Sequence, residues 1–413
     1  MIYDVAVVGA GPTGSTTAYI AAKKGLKTII MEEDAEIGRP LHCTGKLTAR
    51  AFQEFNLPKE CIQNSVRGAV FYSPRNIQLD ICKKNVESHI INREIFDQKL
   101  AERAFDVGAE LSLGKKVYRI NSFEGFKVLK LKGKNGASEI AAKLVVNAEG
   151  ASPSLLNKAH SSRIKTYLSG LQYEMSNVDH DKSDYVELYF GEKYAPGFFA
   201  WLVPLNEEEA RIGLCVREDL AKHSAQKYLS FFVKNHPILS RKTKNGKIKK
   251  TFGGRIPLHG PIAKTYEDNL LFVGDAAGHV KSTSGGGIYF GLKAAELAGE
   301  VAVRCLESGK LSAKCLKEYE RQWKSSFGKE LSFTSRVRRI LSTLSDRDLD
   351  FFFRLYMKDD KLRYDIEKHG DTAYQSRLLK PLMFKTMRTL MQNPANFRLF
   401  LKVTLTGLFN MAK

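Results

Sequence analysis

The 413-residue chain has no second glycine fingerprint, no Cys-x-x-Cys, no His/Cys metal spacing and no apolar run of membrane-spanning length. Each absence removes a class. Zinc sites need closely spaced Cys and His ligands, so no metal is expected. A bilayer-crossing helix needs about 20 apolar residues; the longest late uncharged run, Val403–Ala412, has 10. The six cysteines (43, 61, 82, 215, 305, 315) are scattered, and no secretion signal precedes them. That pattern leads us to expect a reducing cytoplasm and no disulfide framework. The chain opens directly on an apolar strand, so no transit segment is expected. No internal repeat, low-complexity tract or nucleic-acid-binding module stands out, and nucleic acid is not expected as a partner. Acidic residues are missing from one end: beyond Asp371 there is neither Asp nor Glu, while Arg377, Lys380, Lys385, Arg388, Arg398, Lys402 and Lys413 remain.

What is present is basic. A net charge of +20, from 65 basic and 45 acidic residues, suits an anionic partner such as a membrane surface. Among the late basic residues, Leu378, Leu379, Leu382, Met383, Met387, Leu390 and Met391 recur at roughly helical spacing, and Phe397, Phe400, Leu401, Leu405, Leu408 and Phe409 follow Asn393-Pro394. A basic amphipathic helix either lies on a membrane surface or packs its apolar face on the protein body, and both readings stand. The location expected is cytoplasmic, peripheral on the inner face of the membrane. Arg241–Lys250, around Asn245-Gly246, reads as a solvated β-hairpin tip.

The N-terminal residues carry the first chemistry. Val5-Ala-Val-Val-Gly9-Ala-Gly11-Pro-Thr13-Gly14 is a buried strand running into a helix that starts near Pro12. Gly9 permits the tight turn, Gly11 admits a pyrophosphate to the backbone, and Gly14 lets helix and strand pack closely. The diphosphate then sits at the positive end of the helix dipole. A second strand ends at Glu32, 18 residues beyond Gly14, where an acid accepts hydrogen bonds from ribose hydroxyls. Far along the chain, Leu270-Leu-Phe-Val-Gly274-Asp275 is another buried strand, and Gly285-Gly286-Gly287-Ile288 opens a helical stretch. Asp275 suits ribityl hydroxyls, and the glycine-rich helix start places N–H groups beside a flavin pyrimidine ring. With a single nucleotide fingerprint, the two glycine segments make joint sense around FAD.

Organisation follows from period changes. The fold class expected is α/β (α+β): a Rossmann-like parallel sheet, an antiparallel layer and a C-terminal helical region. The FAD domain is discontinuous, over 1–65, 90–160 and 257–311. Strands over 66–89 and 161–256, interrupted by a helix near 219–235, form the substrate layer. Residues 312–413 are helical.

Read together, these segments resemble the archaeal geranylgeranyl reductase family, within the p-hydroxybenzoate-hydroxylase-like flavoproteins. Glu36-Ile37-Gly38-x-Pro40-x-x-Cys43-Thr44-Gly45 is similar to the family's cysteine loop, and Arg93-x-x-Phe96-Asp97-x-x-Leu100 to its flavin-contacting arginine helix. Ala148-Glu149-Gly150-Ala-Ser152 resembles its Asp-Gly motif. Pro196-Gly-Phe198-Phe199-Ala-Trp201-Leu-Val203-Pro204, then Gly213, resembles its Tyr-x-Trp-x-Phe-Pro…Gly-x-Gly signature, and Leu344-Ser-Asp346…His369-Gly-Asp371 its C-terminal helical region. Phe199, Val203, Cys215 and Ser282 depart from the family's Tyr, Phe, Gly and Pro.

The resemblance implies hydrogenation of isolated C=C bonds in the isoprenoid chains of membrane ether lipids, with hydride from flavin N5 and a proton from elsewhere. A prenylated ether lipid is then the substrate, and NADPH or ferredoxin the external electron donor. Phe198, Phe199 and Trp201, with Pro204 and Gly213, would wall an apolar pocket whose π-faces suit developing positive charge; plain sheet core is the alternative for these aromatics. Cys43 is the candidate catalytic residue, as proton donor or flavin contact, though buried inert cysteine is the commoner fate. Thr44, Gly45 and Arg93 would contact the flavin, and Val117 the adenine through its backbone. His42 is read as a loop histidine. An FAD monooxygenase acting on an aromatic substrate, and a non-catalytic membrane-surface flavoprotein, are the competing readings.

Overall fold

The glycine turn folds as its spacing requires: β1 (Ile2–Val8) passes through Gly9, at φ +101°, into α1 (Pro12–Lys23), and β2 (Thr28–Met31) returns beside it. The computed structural model describes residues 2–134, 136–151, 155, 166–258, 260–392, 398–399 and 402–404. Further along lie β3 (Lys46–Thr48), α2 (Ala49–Glu54), β4 (Ile62–Val66), β5 (Gly68–Tyr72), β6 (Gln78–Cys82), β7 (Ser88–Ile91) and α3 (Arg93–Asp106). The edge strand β8 (Glu110–Ser112) and the meander β9 (Lys115–Phe123), β10 (Phe126–Gly133) and β11 (Gly136–Asn147) follow. Next come β12 (Tyr167–Ser176), β13 (Tyr185–Tyr189), β14 (Ala200–Pro204), β15 (Ala210–Arg217), α4 (Ala225–Asn235), α5 (Leu239–Lys242) and β16 (Lys247–Pro257). The remainder is β17 (Tyr266–Glu267), β18 (Leu270–Phe272), α6 (Ile288–Glu307), α7 (Ala313–Trp323), α8 (Lys329–Leu341), α9 (Asp346–Met357), α10 (Asp360–His369) and α11 (Ser376–Gln392).

The first sheet has the order β17-β18-β11-β1-β2-β8. Its central strands run parallel, which places their carboxyl ends, and the loops after them, along one edge. That edge is where open parallel sheets bind ligands. β11 pairs with β10 through its first half and with β1 and β18 through its second, so one long strand joins the meander to the nucleotide layer. α1, α3 and α6 contribute their buried residues to the cluster on one face.

The second sheet runs β16-β12-β15-β14-β13-β5-β6. It is antiparallel except for the β5–β13 pair, which joins segments more than a hundred residues apart in parallel. Alternation along a strand sends neighbours to opposite faces. On β15, Ala210, Ile212, Leu214 and Val216 join Leu229 and Phe232 of α4 in one core. The opposite face therefore carries Arg211, Gly213 and Cys215. A third, small sheet, β3-β7-β4, sits between the other two in sequence.

Two expectations need correction. Arg241–Lys250 is not a β-hairpin tip. Ile238 and Leu239 donate their N–H groups to His236 Nδ1, which starts the helical turn α5, and Thr243 Oγ1 closes it on the Leu239 carbonyl. The chain then turns through Gly246 into β16. One disulfide also exists: Cys305, near the end of α6, bonds Cys315 in the first turn of α7, because Gly309 (φ +67°) reverses the chain between them. In smaller matters, the helix placed near 219–235 begins only at Ala225. Asn135, Ser152, Asn393, Pro394, Phe397, Phe400, Leu401, Leu405, Leu408, Phe409 and Lys413 lie outside the described residues.

Behind the second glycine segment, His279 is fully buried among Trp323, Phe327 and Tyr319, and neither ring nitrogen has a partner among the described residues. Burial pushes this imidazole down to about 3. The unfolded chain takes up a proton near pH 6.5, and the folded one does so only near 3. Between those values the unfolded state binds more protons, so stability falls as pH falls. The slope from this group is up to about 1.4 kcal/mol per pH unit. His279→Leu should flatten the acid side of the stability–pH curve in denaturant titrations; an unchanged slope would remove His279 as its source.

Candidate active site

At the nucleotide end, the fingerprint geometry is specific. A Cβ on Gly14 would lie 2.0 Å from the Gly9 carbonyl oxygen, and one on Gly9 would lie 2.4 Å from that of Ala148. Gly11, by contrast, has nothing within 4 Å of its Cβ position, leaving the start of α1 open for a phosphate. Glu32 accepts hydrogen bonds from the N–H groups of Ala10 (2.7 Å) and Asp34 (3.1 Å), which holds its carboxylate beside that opening. Glu32's carbonyl accepts from Lys115 N, so β9 starts alongside it; two residues on, the Val117 side chain is buried in the core. Glu149 bonds Asn147 and the Leu155 N–H, supporting the turn after β11.

Thr13 joins the two ends of the chain. Its Oγ1 lies 2.8 Å from the Cβ position of Gly274 and 2.5 Å from that of Gly291. Residues 274 and 291 can be only glycine if α1 is to pack this closely. Asp275 follows in the turn after β18. Its carboxylate has no hydrogen bond among the described residues, and Gly287's Cβ position lies 2.5 Å from its Oδ1. Burial pushes its carboxyl up to about 6, with the Arg93 guanidinium pulling the other way. An unpartnered carboxylate beside Gly286-Gly287-Ile288, opposite an open helix N-terminus, fits the ribityl and diphosphate groups of a flavin dinucleotide.

The Cys43 loop closes the same cleft. Cys43 Sγ accepts from the Gly45 N–H at 3.4 Å. Arg93, at the start of α3, is clamped by Asp97 through Nε (2.9 Å) and Nη2 (2.7 Å); burial works against its charge, but Asp97 and then Cys43 outweigh it and raise its affinity for its proton. Thr44 Oγ1 donates to Gln172 Oε1 on β12 (3.0 Å), and Gly45 (φ +80°) sits so that a Cβ would lie 2.4 Å from the Ile91 carbonyl oxygen. His42 Nδ1 lies 2.9 Å from the Gly253 carbonyl and is otherwise exposed, as a loop histidine should be.

Sequence reasoning passed over Arg211. It is buried on β15 and donates to the carbonyls of Thr44 (2.8 Å) and Ile91 (3.1 Å), to Gln63 Oε1 (2.8 Å) and to Glu174 Oε2 (3.3 Å). One guanidinium thus ties the Cys43-Thr44-Gly45 loop to both neighbouring sheets. The available signal was a charged residue inside an otherwise apolar strand.

The aromatics line the cleft in part. Phe198 and Phe199 stack at 4.3 Å, and Phe199 meets Trp201 edge-on at 6.2 Å. A Cβ at Gly213 would lie 2.6 Å from Trp201 Cζ2, so only glycine lets the indole lie flat across β15. Gly285's Cβ position lies 4.0 Å from Phe198 Cζ, which brings the aromatic wall to the second glycine segment. Pro204 is a correction: alternation puts it with Ala200 and Leu202 on the opposite face from Trp201, where its carbonyl accepts from Asn64.

A model of the geranylgeranyl reductase catalytic domain matches residues 167–255, and one of the FAD dependent oxidoreductase family matches 4–154. Digeranylgeranylglycerophospholipid reductase of Methanocaldococcus jannaschii is 35% identical over 354 residues, 84% of this chain and 89% of that protein. The chain belongs to the geranylgeranyl reductase family. A second relative within it, digeranylgeranylglycerophospholipid reductase 2 of Methanothermobacter thermautotrophicus, is 33% identical over 86% of this chain and 91% of its own length. Among solved structures, a geranylgeranyl bacteriochlorophyll reductase-like protein from Thermoplasma acidophilum superposes with a TM-score of 0.81 at 27% identity, over 92% of this chain and 99% of that one. Halogenase PltM, solved with FAD, shares the fold at a TM-score of 0.69 and 14% identity, over 97% and 95% of the two chains. This member of the geranylgeranyl reductase family is an FAD-dependent oxidoreductase, and the open Gly11 turn and the unpartnered Asp275 fit that cofactor. No helix among the described residues is long and apolar enough to cross a membrane.

Proposed function

We propose that this protein hydrogenates isolated C=C bonds of geranylgeranyl chains in archaeal ether phospholipids. The observation that carries this reading is the aromatic wall of Phe198, Phe199 and Trp201, laid flat by Gly213 and meeting Gly285 at the edge of the FAD cleft. FAD supplies the hydride when bound and reduced. Gly9, Gly11, Thr13, Gly14 and Glu32 would hold its nucleotide half; Cys43, Thr44, Gly45, Arg93, Asp275, Gly286, Gly287 and Ile288 would surround its ring and ribityl chain, and Val117 would lie by the adenine.

The chain's own residues do the rest. The stacked phenylalanines and Trp201 exclude water and align an apolar chain, with π-faces toward the carbon on which positive charge develops. Cys43 Sγ is the proton source, and Arg93, fixed by Asp97, faces that sulfur. Arg211 keeps the cysteine loop in register.

Membrane contact is part of the same reading. α11 packs Leu390 against Leu344 and Phe352, but Phe384 and Met391 stay exposed beside Lys380 and Arg388. A helix that is basic and apolar on its open side suits peripheral docking on an anionic inner leaflet. NADPH or ferredoxin would deliver the electrons.

The test is anaerobic incubation of the chemically reduced protein with a digeranylgeranylglycerol phospholipid, followed by mass spectrometry. Stepwise gain of hydrogen pairs is expected; unchanged lipid with the flavin still reduced would sink the proposal and turn attention to oxygen uptake with aromatic substrates. Within the assay, Cys43→Ala and Cys43→Ser should each lower turnover by about 100-fold, the range lost when one acid–base group is removed, and Cys43→Ala should also move the flavin absorbance. Normal turnover and an unmoved band in both variants would leave Cys43 without either role.

A further inference from the structure

Two lysines reach the cleft from opposite glycine loops, and the site as described so far has no use for either. Lys281 lies under the second loop: Ser284 and Gly285 donate to its carbonyl and its own N–H bonds Gly286 O, so the loop is wound around it. Its side chain is buried, with Cε 3.1 Å and Nζ 3.4 Å from the Cβ position of Gly286, and Nζ donates to the Thr372 carbonyl at 2.5 Å. Lys46 follows Gly45 directly on the first loop and donates to Ser88 Oγ at 2.8 Å. Its side chain is open to solvent, yet surrounded by enough protein that burial weakens its hold on a proton.

Among the described residues neither lysine has an ion pair. The carboxylates facing them are Glu87 before β7, Asp371 after α10 and Glu330 on α8. Each is engaged elsewhere. Glu87 pairs with Lys83 and accepts from Thr372 N and Oγ1, Asp371 pairs with Arg50 at 3.1 Å, and Glu330 accepts from Ser376 N at 2.9 Å. From α6, only the Phe290 ring faces Lys281, 6.0 Å from Nζ. The two lysines also repel one another. Two mutually repelling ammoniums without an ion pair among the described residues, on two loops read above as flanking one ring, suit an anion there.

We propose that Lys281 and Lys46 form a cationic pair at the pyrimidine edge of FAD and hold the reduced cofactor as its anion. This rests on the reading above that loops 43–45 and 285–287 flank the flavin ring. Two electrons and one proton then enter on reduction; the second proton is refused because the pyrimidine edge already faces positive charge. An anionic reduced flavin carries more electron density to give as hydride, which suits an alkene with no carbonyl to activate it. Burial pushes both ammoniums down to about 8. The pair is therefore charged below that pH and loses its effect above it.

The experiment measures the midpoint potential of the FAD-loaded protein against pH, for the natural sequence, Lys281→Met, Lys46→Met and Lys281→Arg. Below pH 8, Lys281→Met should shift the flavin about tenfold toward its oxidised form, about 30 mV for a two-electron couple. In mildly acidic solution, proton uptake on reduction should rise from one toward two per two electrons, and Lys281→Arg should restore most of both. Lys46, on the accessible wall, gives the same test without disturbing the buried loop. Unchanged potential and proton count in both Met variants would overturn the proposal, and so would lost turnover at unchanged potential. The ring placement is checked separately. If Cys43→Ala moves the flavin absorbance while the lysine variants leave the potential alone, the pair fails and the placement stands. A shifted potential in Lys281→Met with an unmoved band in Cys43→Ala would take the cysteine loop, and Lys46 with it, away from the ring and would overturn the pair.

Discussion

Gly11→Ala should give a folded protein that no longer retains FAD. At this position φ is −67° and ψ 176°, a conformation alanine adopts without strain, and nothing lies within 4 Å of the new methyl group. The empty volume is where backbone must approach a diphosphate, so the methyl competes with cofactor and not with protein. FAD affinity should fall about 100-fold, or roughly 2.7 kcal/mol, while the melting temperature of the FAD-free protein stays put. Gly14→Ala is the contrasting case. Its methyl would meet the Gly9 carbonyl oxygen at 2.0 Å and the Val7 side chain at 3.2 Å, and the Gly9 backbone cannot yield cheaply. That variant should lose both FAD and thermal stability of the cofactor-free protein. Flavin-to-protein absorbance ratios and melting curves separate the two, and a Gly11→Ala protein that keeps its flavin would show that the diphosphate binds elsewhere.

Arg211→Met should be the most destabilising single change at the site. The substitution keeps the volume but leaves Glu174 buried with only Lys250, at 3.4 Å, to answer its charge, and it frees the carbonyls of Thr44 and Ile91. Breaking a buried pair from one side costs about 3–5 kcal/mol, which corresponds to a fall of roughly 3–6 °C in melting temperature for a chain of this size. Glu174→Gln placed in the same protein should recover part of the loss, since it removes the orphaned charge. If Arg211→Met melts with the natural protein, the guanidinium is not what binds the loop to the sheets.

The strand–turn–helix at the N-terminus was legible because three glycines at fixed spacing admit few backbones, and the structure shows each meeting a different constraint. The strands of the second sheet were legible by alternation. Their order was not: the parallel partnership of β5 with β13 depends on long-range packing that no local pattern encodes. Asn245-Gly246 carries the composition of a hairpin turn, yet His236 caps a helical turn just upstream and the competing hydrogen bonds win. Cys305 and Cys315 meet because Gly309 reverses the chain, a tertiary fact invisible in their spacing. Arg211 and Lys281 escaped for a related reason. Each acts through backbone carbonyls and loops from distant segments, and a single sequence presents them as one more charge in a basic chain.

The parentage of Thr13's two glycine neighbours bears on how much of the chain flavin binding needs. The turn at residues 9–14 packs through Thr13 on Gly274 and Gly291, far downstream, and β11 joins β1 to β18 across the same sheet. A chain cut before residue 291 should therefore lack the packing that seats α1 and should hold no flavin.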